Sequence, residues 1–273
     1  MSVLFVLIFI AFDFVWYFPV YRRQGLTDRL PRRTVPVSIL VGLIPVFLAS
    51  IFVQFGGGFL RRAIPFSEVA NLALDSYFDA ALVEELMKFL GAYLIVRKVC
   101  PKRKVDYVLI FGAVGLGFEV TESLLLMDSA IAALGRGVFA LHIIWQFFMG
   151  MFFWEYRQAK QLGDRHGVRK NLCLAFGVPI VLHGTNDFLA FMAERALNTL
   201  DAAAPETLEA VEALAPETEA AGVWMLLLLI FLVVQIVFQI VTFKMALKTA
   251  KESRRLDNAP NGEEQDSAET PEA

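Results

Sequence analysis

The sequence predicts an all-α membrane protein, a polytopic bundle of about seven transmembrane helices, and three observations support this. The chain has 273 residues, of which 57% are hydrophobic. Its apolar residues fall into runs of about twenty, the length of helix that crosses the hydrocarbon core of a bilayer. Barrel strands would be shorter and would alternate apolar with polar residues, so the runs are predicted to be helices.

The predicted spans follow one another along most of the chain. They cover residues 3–20, 35–55, 76–96, 105–127, 138–156, 171–193 and 222–243. The first run has no positive charge before its apolar core and carries Arg22 and Arg23 after it. It is therefore predicted to be a retained helix and not a cleaved signal peptide.

Basic residues alternate between the two sides of this arrangement. Clusters of Arg and Lys occupy residues 22–33, 97–104, 157–170 and 244–255, whereas the intervening loops hold only Arg61, Arg62, Arg136 and Arg195. Because positively charged loops stay in the cytoplasm, the N-terminus is predicted to lie outside and the C-terminus inside. An odd number of spans makes this alternation consistent.

The membrane domain is predicted to comprise residues 1–250, with a motif-bearing core at 76–193. Residues 194–221 are rich in Ala, Glu and Pro, and they are predicted to form a partly helical, acidic external loop that could gate the outer mouth. Residues 251–273 have almost no apolar side chains and are predicted to be a disordered cytoplasmic tail. The sequence has no long basic arm and no nucleotide-binding glycine loop, so nucleic acid is not an expected partner.

Ionisable residues inside the spans are the candidates for function, because charge at membrane depth is costly. They are Asp13, Glu84, Glu85, Lys88, Glu119, Glu122, His142, His183 and Asp187. At about 1.5 Å per residue, the carboxylates and imidazoles of the third to sixth spans fall in the outer half or near the midplane. The sequence therefore predicts one water-filled polar cavity shared by four helices.

Span three has a structural interpretation beside the functional one. Glu84 and Lys88 are four residues apart, so they share a helix face and could form an internal salt bridge. Such a bridge would make both charges tolerable in lipid, but it does not account for Glu85.

Spans four to six also allow structural roles. Glu119 and Glu122 share a face after a run of small glycines that permits close helix packing, and either carboxyl could point into the cavity. His142 alone would more often be a hydrogen-bonded core residue. His183 and Asp187 are four residues apart, so the carboxylate could orient the imidazole.

Three kinds of chemistry use this set of side chains. A carboxylate can act as general base for hydrolysis by water, with histidines holding the water or the oxyanion. A zinc site would use Glu84, Glu122, His142 and His183, although Lys88 on the face of Glu84 disfavours a dication. A proton or ion transporter also buries such residues, but it predicts inverted repeats, which the sequence does not show. A scaffold without turnover stays an alternative.

Four motifs, in order, resemble the PrsW family of intramembrane proteases, which is related to the CAAX prenyl endopeptidase and bacteriocin-processing (CPBP) superfamily. They are EELMK at 84–88, GLGFEVTES at 115–123, His142 followed by Gly150, and HGTND at 183–187. The resemblance covers roughly residues 76–190. Two positions depart from the usual pattern: Ser123 stands where Asn is usual, and Glu119 where a small residue is usual.

The resemblance implies hydrolysis of a peptide bond at or within the membrane. It assigns Glu84 as general base with Glu85 as its motif partner, His142 to the positioning of water, and His183 with Asp187 to the oxyanion side. The candidate catalytic residues are Glu84, Glu85, Glu122, His142, His183 and Asp187.

The resemblance also implies a partner and a location. The family's best-known role, site-one cleavage of a membrane-anchored anti-sigma factor, implies a single-span membrane protein as substrate and the cell membrane of a bacterium as location. Members are often labelled metalloproteases. Catalysis by glutamate without a metal is the preferred interpretation here, and Zn²⁺ is the alternative cofactor.

Overall fold

The computed structural model describes residues 3–24, 30–55, 67–125, 140–202 and 215–258, and within these ranges the chain is helical and has no strand. The helices are α1 (Val3–Arg23), α2 (Thr34–Gly42), α3 (Ile44–Phe55), α4 (Glu68–Leu74), α5 (Val83–Val99), α6 (Lys104–Leu125), α7 (Leu141–Gln161), α8 (Arg165–Ala202) and α9 (Ala215–Asn258). A π-helical segment, Asp75–Leu82, joins α4 to α5. The described part of each predicted span is almost entirely helical, so the all-α class is confirmed.

Within the described ranges, four helical stretches have the length and composition of membrane spans. They are Thr34–Gln54, Lys104–Leu125, Arg165–Asn198 and Thr218–Leu256. A helical membrane bundle is thereby confirmed, while the number of seven spans and the orientation of the termini stay predictions. The predicted span at 76–96 does not qualify because it concentrates Glu84, Glu85 and Lys88 within two turns of α5.

α6 is the central helix of the bundle. In its apolar window 78% of the residues are buried, against 17% to 28% for the other candidate spans. Its glycines permit this packing: a Cβ atom at Gly117 would clash with the carbonyl oxygen of Ile39 on α2, and one at Gly112 would clash with the ring of Phe147 on α7. The close helix approach predicted from these glycines is confirmed.

The π-helical segment lies directly before the EELMK motif and packs against α8. The hydroxyl groups of Tyr77 and Thr185 are 2.7 Å apart. Gly184 leaves space for the Tyr77 ring, with which a Cβ atom at this position would clash. This contact sets the HGTND element of α8 against the start of α5. π-helical turns are often found beside functional sites.

The described parts of the polar segments near the end of the chain are helical. α8 continues to Ala202 and α9 begins at Ala215, so both ends of the predicted external loop 194–221 are helical, and residues 203–214 lie outside the described part of the chain. α9 also continues to Asn258. The first eight residues of the predicted tail at 251–273 are therefore helical, and residues 259–273 are outside the described ranges.

Candidate active site

Seven of the nine ionisable residues predicted from the sequence meet in one place, on α5, α6, α7 and α8. We call this group the polar cluster; it comprises Glu84, Glu85, Lys88, Glu122, His142, Gln146, His183 and Asp187. The single polar layer expected from helix depth is thus present as direct contacts. All six predicted catalytic residues belong to it.

Glu85 lies at the centre of the cluster and is fully buried. Its Oε1 accepts hydrogen bonds from Lys88 Nζ at 2.6 Å and from His183 Nδ1 at 3.1 Å. Its Oε2 accepts from Gln146 Nε2 at 2.8 Å. Since both oxygens are engaged by protein donors, Glu85 ties three helices together and has little capacity left to activate water.

Lys88 pairs with Glu85 more closely than with Glu84, the partner predicted from the sequence. The Nζ atom is 2.6 Å from Glu85 Oε1 but 3.9 Å from Glu84 Oε2. The predicted Glu84–Lys88 pair is therefore secondary, because Lys88 and Glu85 both point into the bundle whereas Glu84 lies at its open side. Nζ also lies 4.0 Å from the centroid of the Phe118 ring, a cation–π distance.

His142 is held between a cation and a carboxylate. Lys88 Nζ is 2.8 Å from its Nδ1, and Glu122 Oε2 is 2.8 Å from its Nε2. An ammonium group can only donate, so Nδ1 accepts from Lys88 and Nε2 donates to Glu122. This arrangement fixes both the orientation and the tautomer of the ring.

The two carboxylates of α6 have different surroundings, which the sequence left open. Glu119 is buried, and its Oε2 accepts the backbone N–H of His142 at 3.0 Å. It thereby stabilises the first turn of α7, where a carboxylate is favoured and the preceding residue, Ala140, makes no side-chain cap. Glu122 is the carboxylate that faces the imidazole.

His183 faces carboxylates with both ring nitrogens. Its Nδ1 bonds to Glu85, while its Nε2 lies 3.2 Å from Asp187 Oδ2 and 3.6 Å from Glu84 Oε2. The indole of Trp145 stacks on the ring with centroids 4.8 Å apart, which restricts its rotation. The predicted orientation of His183 by Asp187 is present in the structure.

Glu84 stands apart from the rest of the cluster. Among the described residues, nothing forms a hydrogen bond with its buried Oε2. The side chains of Glu84, Glu122 and Asp187 are 17% to 22% exposed, whereas both imidazoles are at most 8% exposed and Lys88 is fully enclosed. Three carboxylates therefore line the open side of the site. The buried oxygen of Glu84 has His183 and Lys88 at 3.6 and 3.9 Å but accepts no hydrogen bond, and such an oxygen in proteins usually binds water or an ion.

The donor set also fits a metal ion in type and spacing. Glu84, His142 and His183 each offer one ligand atom, and these atoms lie within 4.8 Å of one another. Two imidazoles and a carboxylate are a common donor set of catalytic zinc, and the bond from His183 to Glu85 is the kind that orients a metal-binding imidazole. Glu122, the fourth predicted ligand, contacts His142 and lies outside this group of three.

Sequence reasoning missed Gln146 and the aromatic walls. Gln146 is fully buried four residues after His142 on α7, and that spacing was the available signal. Phe118 and Trp145 border the imidazoles at centroid distances of 4.7 to 5.0 Å. Asp13, the remaining carboxylate in the predicted spans, is buried on α1 and forms none of the bonds of the polar cluster.

A helical membrane bundle that gathers carboxylates and imidazoles around a carboxylate oxygen with no hydrogen bond has the side chains that hydrolysis within a membrane requires. The sequence model of PrsW family intramembrane metalloproteases matches residues 30–234, and the chain belongs to this family. It is accordingly a peptidase and an integral membrane protein. No curated protein and no solved structure matches the chain significantly.

Proposed function

We propose that the chain cuts a membrane-anchored protein near the outer face of the membrane, with a water molecule activated by Glu84. The observation that carries this proposal is that Oε2 of Glu84, a carboxylate whose side chain is partly exposed at the open side of the polar cluster, accepts no hydrogen bond from the described residues. Such an oxygen can accept a proton from water without first giving up a hydrogen bond.

The two glutamates of the motif would then have separate tasks. Glu84 takes a proton from water while the water oxygen forms a bond to the carbonyl carbon of the substrate. Glu85 holds Lys88 and His183 in place through its 2.6 Å and 3.1 Å bonds. It acts as a positioning residue, because its oxygens are already engaged.

The imidazoles would hold the water and stabilise the intermediate. The His142–Glu122 pair lies beside His183, with ring centroids of the two histidines 5.1 Å apart. We assign the water to the side of His142 and the oxyanion to the side of His183 with Asp187, where Nε2 of His183 would turn its hydrogen from Asp187 to the oxyanion. When the C–N bond of the peptide breaks, Glu84 gives the proton that it took from water to the leaving amine.

A zinc-dependent version is the second candidate, and the group of three ligand atoms favours it. Glu84, His142 and His183 would hold the ion, which supplies Lewis acid chemistry to the water and the carbonyl group. Against it stands the contact of Lys88 with Nδ1 of His142, because the Nε2 atom then carries a hydrogen and donates to Glu122. We therefore favour the carboxylate without a metal.

The proposed substrate is a single-span membrane protein such as an anti-sigma factor, and the proposed location is the cell membrane of a bacterium. A site among lipid-facing helices can receive only a segment that enters from the bilayer or from its surface. The proposal is tested with a single-span protein tagged at both ends and reconstituted with the purified chain. Fragments are expected with the wild type and not with Glu84→Gln, while both proteins keep the same melting temperature. Fragments of the same size and amount from both would refute it.

A further inference from the structure

A second cavity lies away from the polar cluster, between α5, α7 and α8. Its volume is about 740 Å³, within the range of about 300–1,000 Å³ typical of ligand sites. Arg97 at its rim is about 20 Å further along α5 than Glu84, at 1.5 Å per residue. This is the end of the bundle that carries the basic segments, which the positive-inside rule places in the cytoplasm.

The inner wall of this cavity is aromatic. Phe89, Tyr93, Phe153 and Phe176 line it, and they pack on one another with Phe89 in the middle. The centroid of Phe89 is 4.5 Å from that of Phe176 and 5.1 Å from that of Phe153. A surface of this kind binds hydrocarbon chains well and hydrated ions poorly.

The rim of the cavity is cationic. Arg97, Arg157 and Lys160 line it, and no acidic residue is among the lining side chains. Within the described ranges none of these three cations has a carboxylate at salt-bridge distance; Arg157 instead donates to the hydroxyl of Tyr107, and Arg97 lies 6.0 Å from the centroid of the Tyr93 ring. A smaller cavity that shares Lys160 adds Arg165 and Arg169.

We infer that this cavity binds an anionic phospholipid of the adjoining leaflet, with the phosphate at Arg97, Arg157 and Lys160 and an acyl chain against Phe89. The aromatic wall requires an apolar group, and the unpaired cations require an anion. Basic pockets between membrane helices on the cytoplasmic side are suited to such headgroups. The bilayer itself supplies molecules that combine both features, so no soluble ligand is needed.

The test measures lipid binding by the purified full chain in a nonionic detergent, by native mass spectrometry and by thermal melting. Phosphatidylglycerol is compared with phosphatidylcholine carrying the same acyl chains, and with glycerol phosphate, which has the anion but no chain. Phosphatidylglycerol is expected to bind and to raise the melting temperature, and the other two are expected to do neither.

Two pairs of variants locate the site. Arg97→Gln and Lys160→Gln are each expected to weaken phosphatidylglycerol binding about five-fold, the effect of about 1 kcal/mol per basic residue. Lys251→Gln and Arg254→Gln remove equal charge from the exposed end of α9, outside the cavity, and should leave binding nearly unchanged. Arg97 and Lys160 are both exposed, so both variants are expected to fold.

Three results would overturn the inference. Equal binding of phosphatidylcholine would show that the cations do not select the ligand. Equal weakening by the α9 variants would show that general surface charge attracts the lipid. An equal rise in melting temperature with glycerol phosphate would indicate a site for a soluble anion in place of a lipid site.

Discussion

Lys88 Nζ lies 2.6 Å from Glu85 and 3.9 Å from Glu84, so two adjacent glutamates of one motif differ in what holds them. Glu85 is enclosed and bonded through both oxygens, whereas one oxygen of Glu84 accepts no hydrogen bond from the described residues. Glu85 is therefore suited to organising the bundle and Glu84 to acting on water.

Glu85→Gln should destabilise the fold, whereas Glu84→Gln should not. The amide at position 85 leaves the buried Lys88 without its closest counter-charge, a loss of about 3 kcal/mol, or roughly 6–12 °C in melting temperature for a domain of this size. Glu84→Gln is the matched control because it makes the same chemical change one residue away, and its melting temperature in detergent should stay near that of the wild type. Equal melting temperatures for the two variants would refute the division of roles.

Lys88→Met should lower stability strongly without changing the bond that is cut. Removal of the cation leaves the buried carboxylate of Glu85 with only Gln146 and His183 as partners, and a broken buried pair costs about 3–5 kcal/mol. The double variant Glu85→Gln, Lys88→Met should lose less than the sum of the two single losses. Additive losses in thermal melting, or a shift in the fragment masses, would contradict this account.

Replacing each carboxylate of α6 by the corresponding amide distinguishes the roles of Glu119 and Glu122. Glu122→Gln removes the charge beside Nε2 of His142 and should lower the cleavage rate with little effect on melting. Glu119→Gln weakens the acceptor at the first turn of α7, and it should lower stability by about 1 kcal/mol, the usual loss at a helix N-terminus. For both variants the rate of fragment release and the melting curve are measured. A loss of stability in Glu122→Gln with a loss of rate in Glu119→Gln would contradict this assignment of roles.

Gly184→Ala should disturb the contact between α8 and the π-helical segment. The added methyl group would clash with the Tyr77 ring, so melting temperature and cleavage rate should fall together. Gly177→Ala is the control on the same helix, where no atom lies within 4 Å of the added Cβ. That change should stabilise α8 slightly, by at most about 1 kcal/mol. Equal effects at both positions would mean that the Tyr77 contact does not matter.

The sequence predicted the helices well because apolar length and helix period are local properties. It also predicted which side chains gather, since helix depth follows from simple counting from the membrane surface. It did not predict that Lys88 would prefer Glu85, because residues three and four apart both lie within reach on a helix and packing against α7 and α8 decides between them.

Other features depended on neighbours that no local pattern reveals. The role of Glu119 rests on the backbone of His142, which is distant along the chain, and that of Gln146 rests on the position of Glu85. The π-helical segment before Glu84 changes the helix period, so a count of 3.6 residues per turn does not carry through it. These features could be recognised only from the packed arrangement of the helices.

The most direct test of the central claim is the cleavage rate of a single-span substrate in proteoliposomes, measured for the wild type and Glu84→Gln after treatment with a strong chelator. With Glu84 as base and no metal, the wild-type rate should survive chelation, and the variant should be slower by about a hundred-fold or more, the usual contribution of general base catalysis. A wild-type rate that is lost on chelation and restored by zinc, or a Glu84→Gln variant as fast as the wild type, would contradict the account.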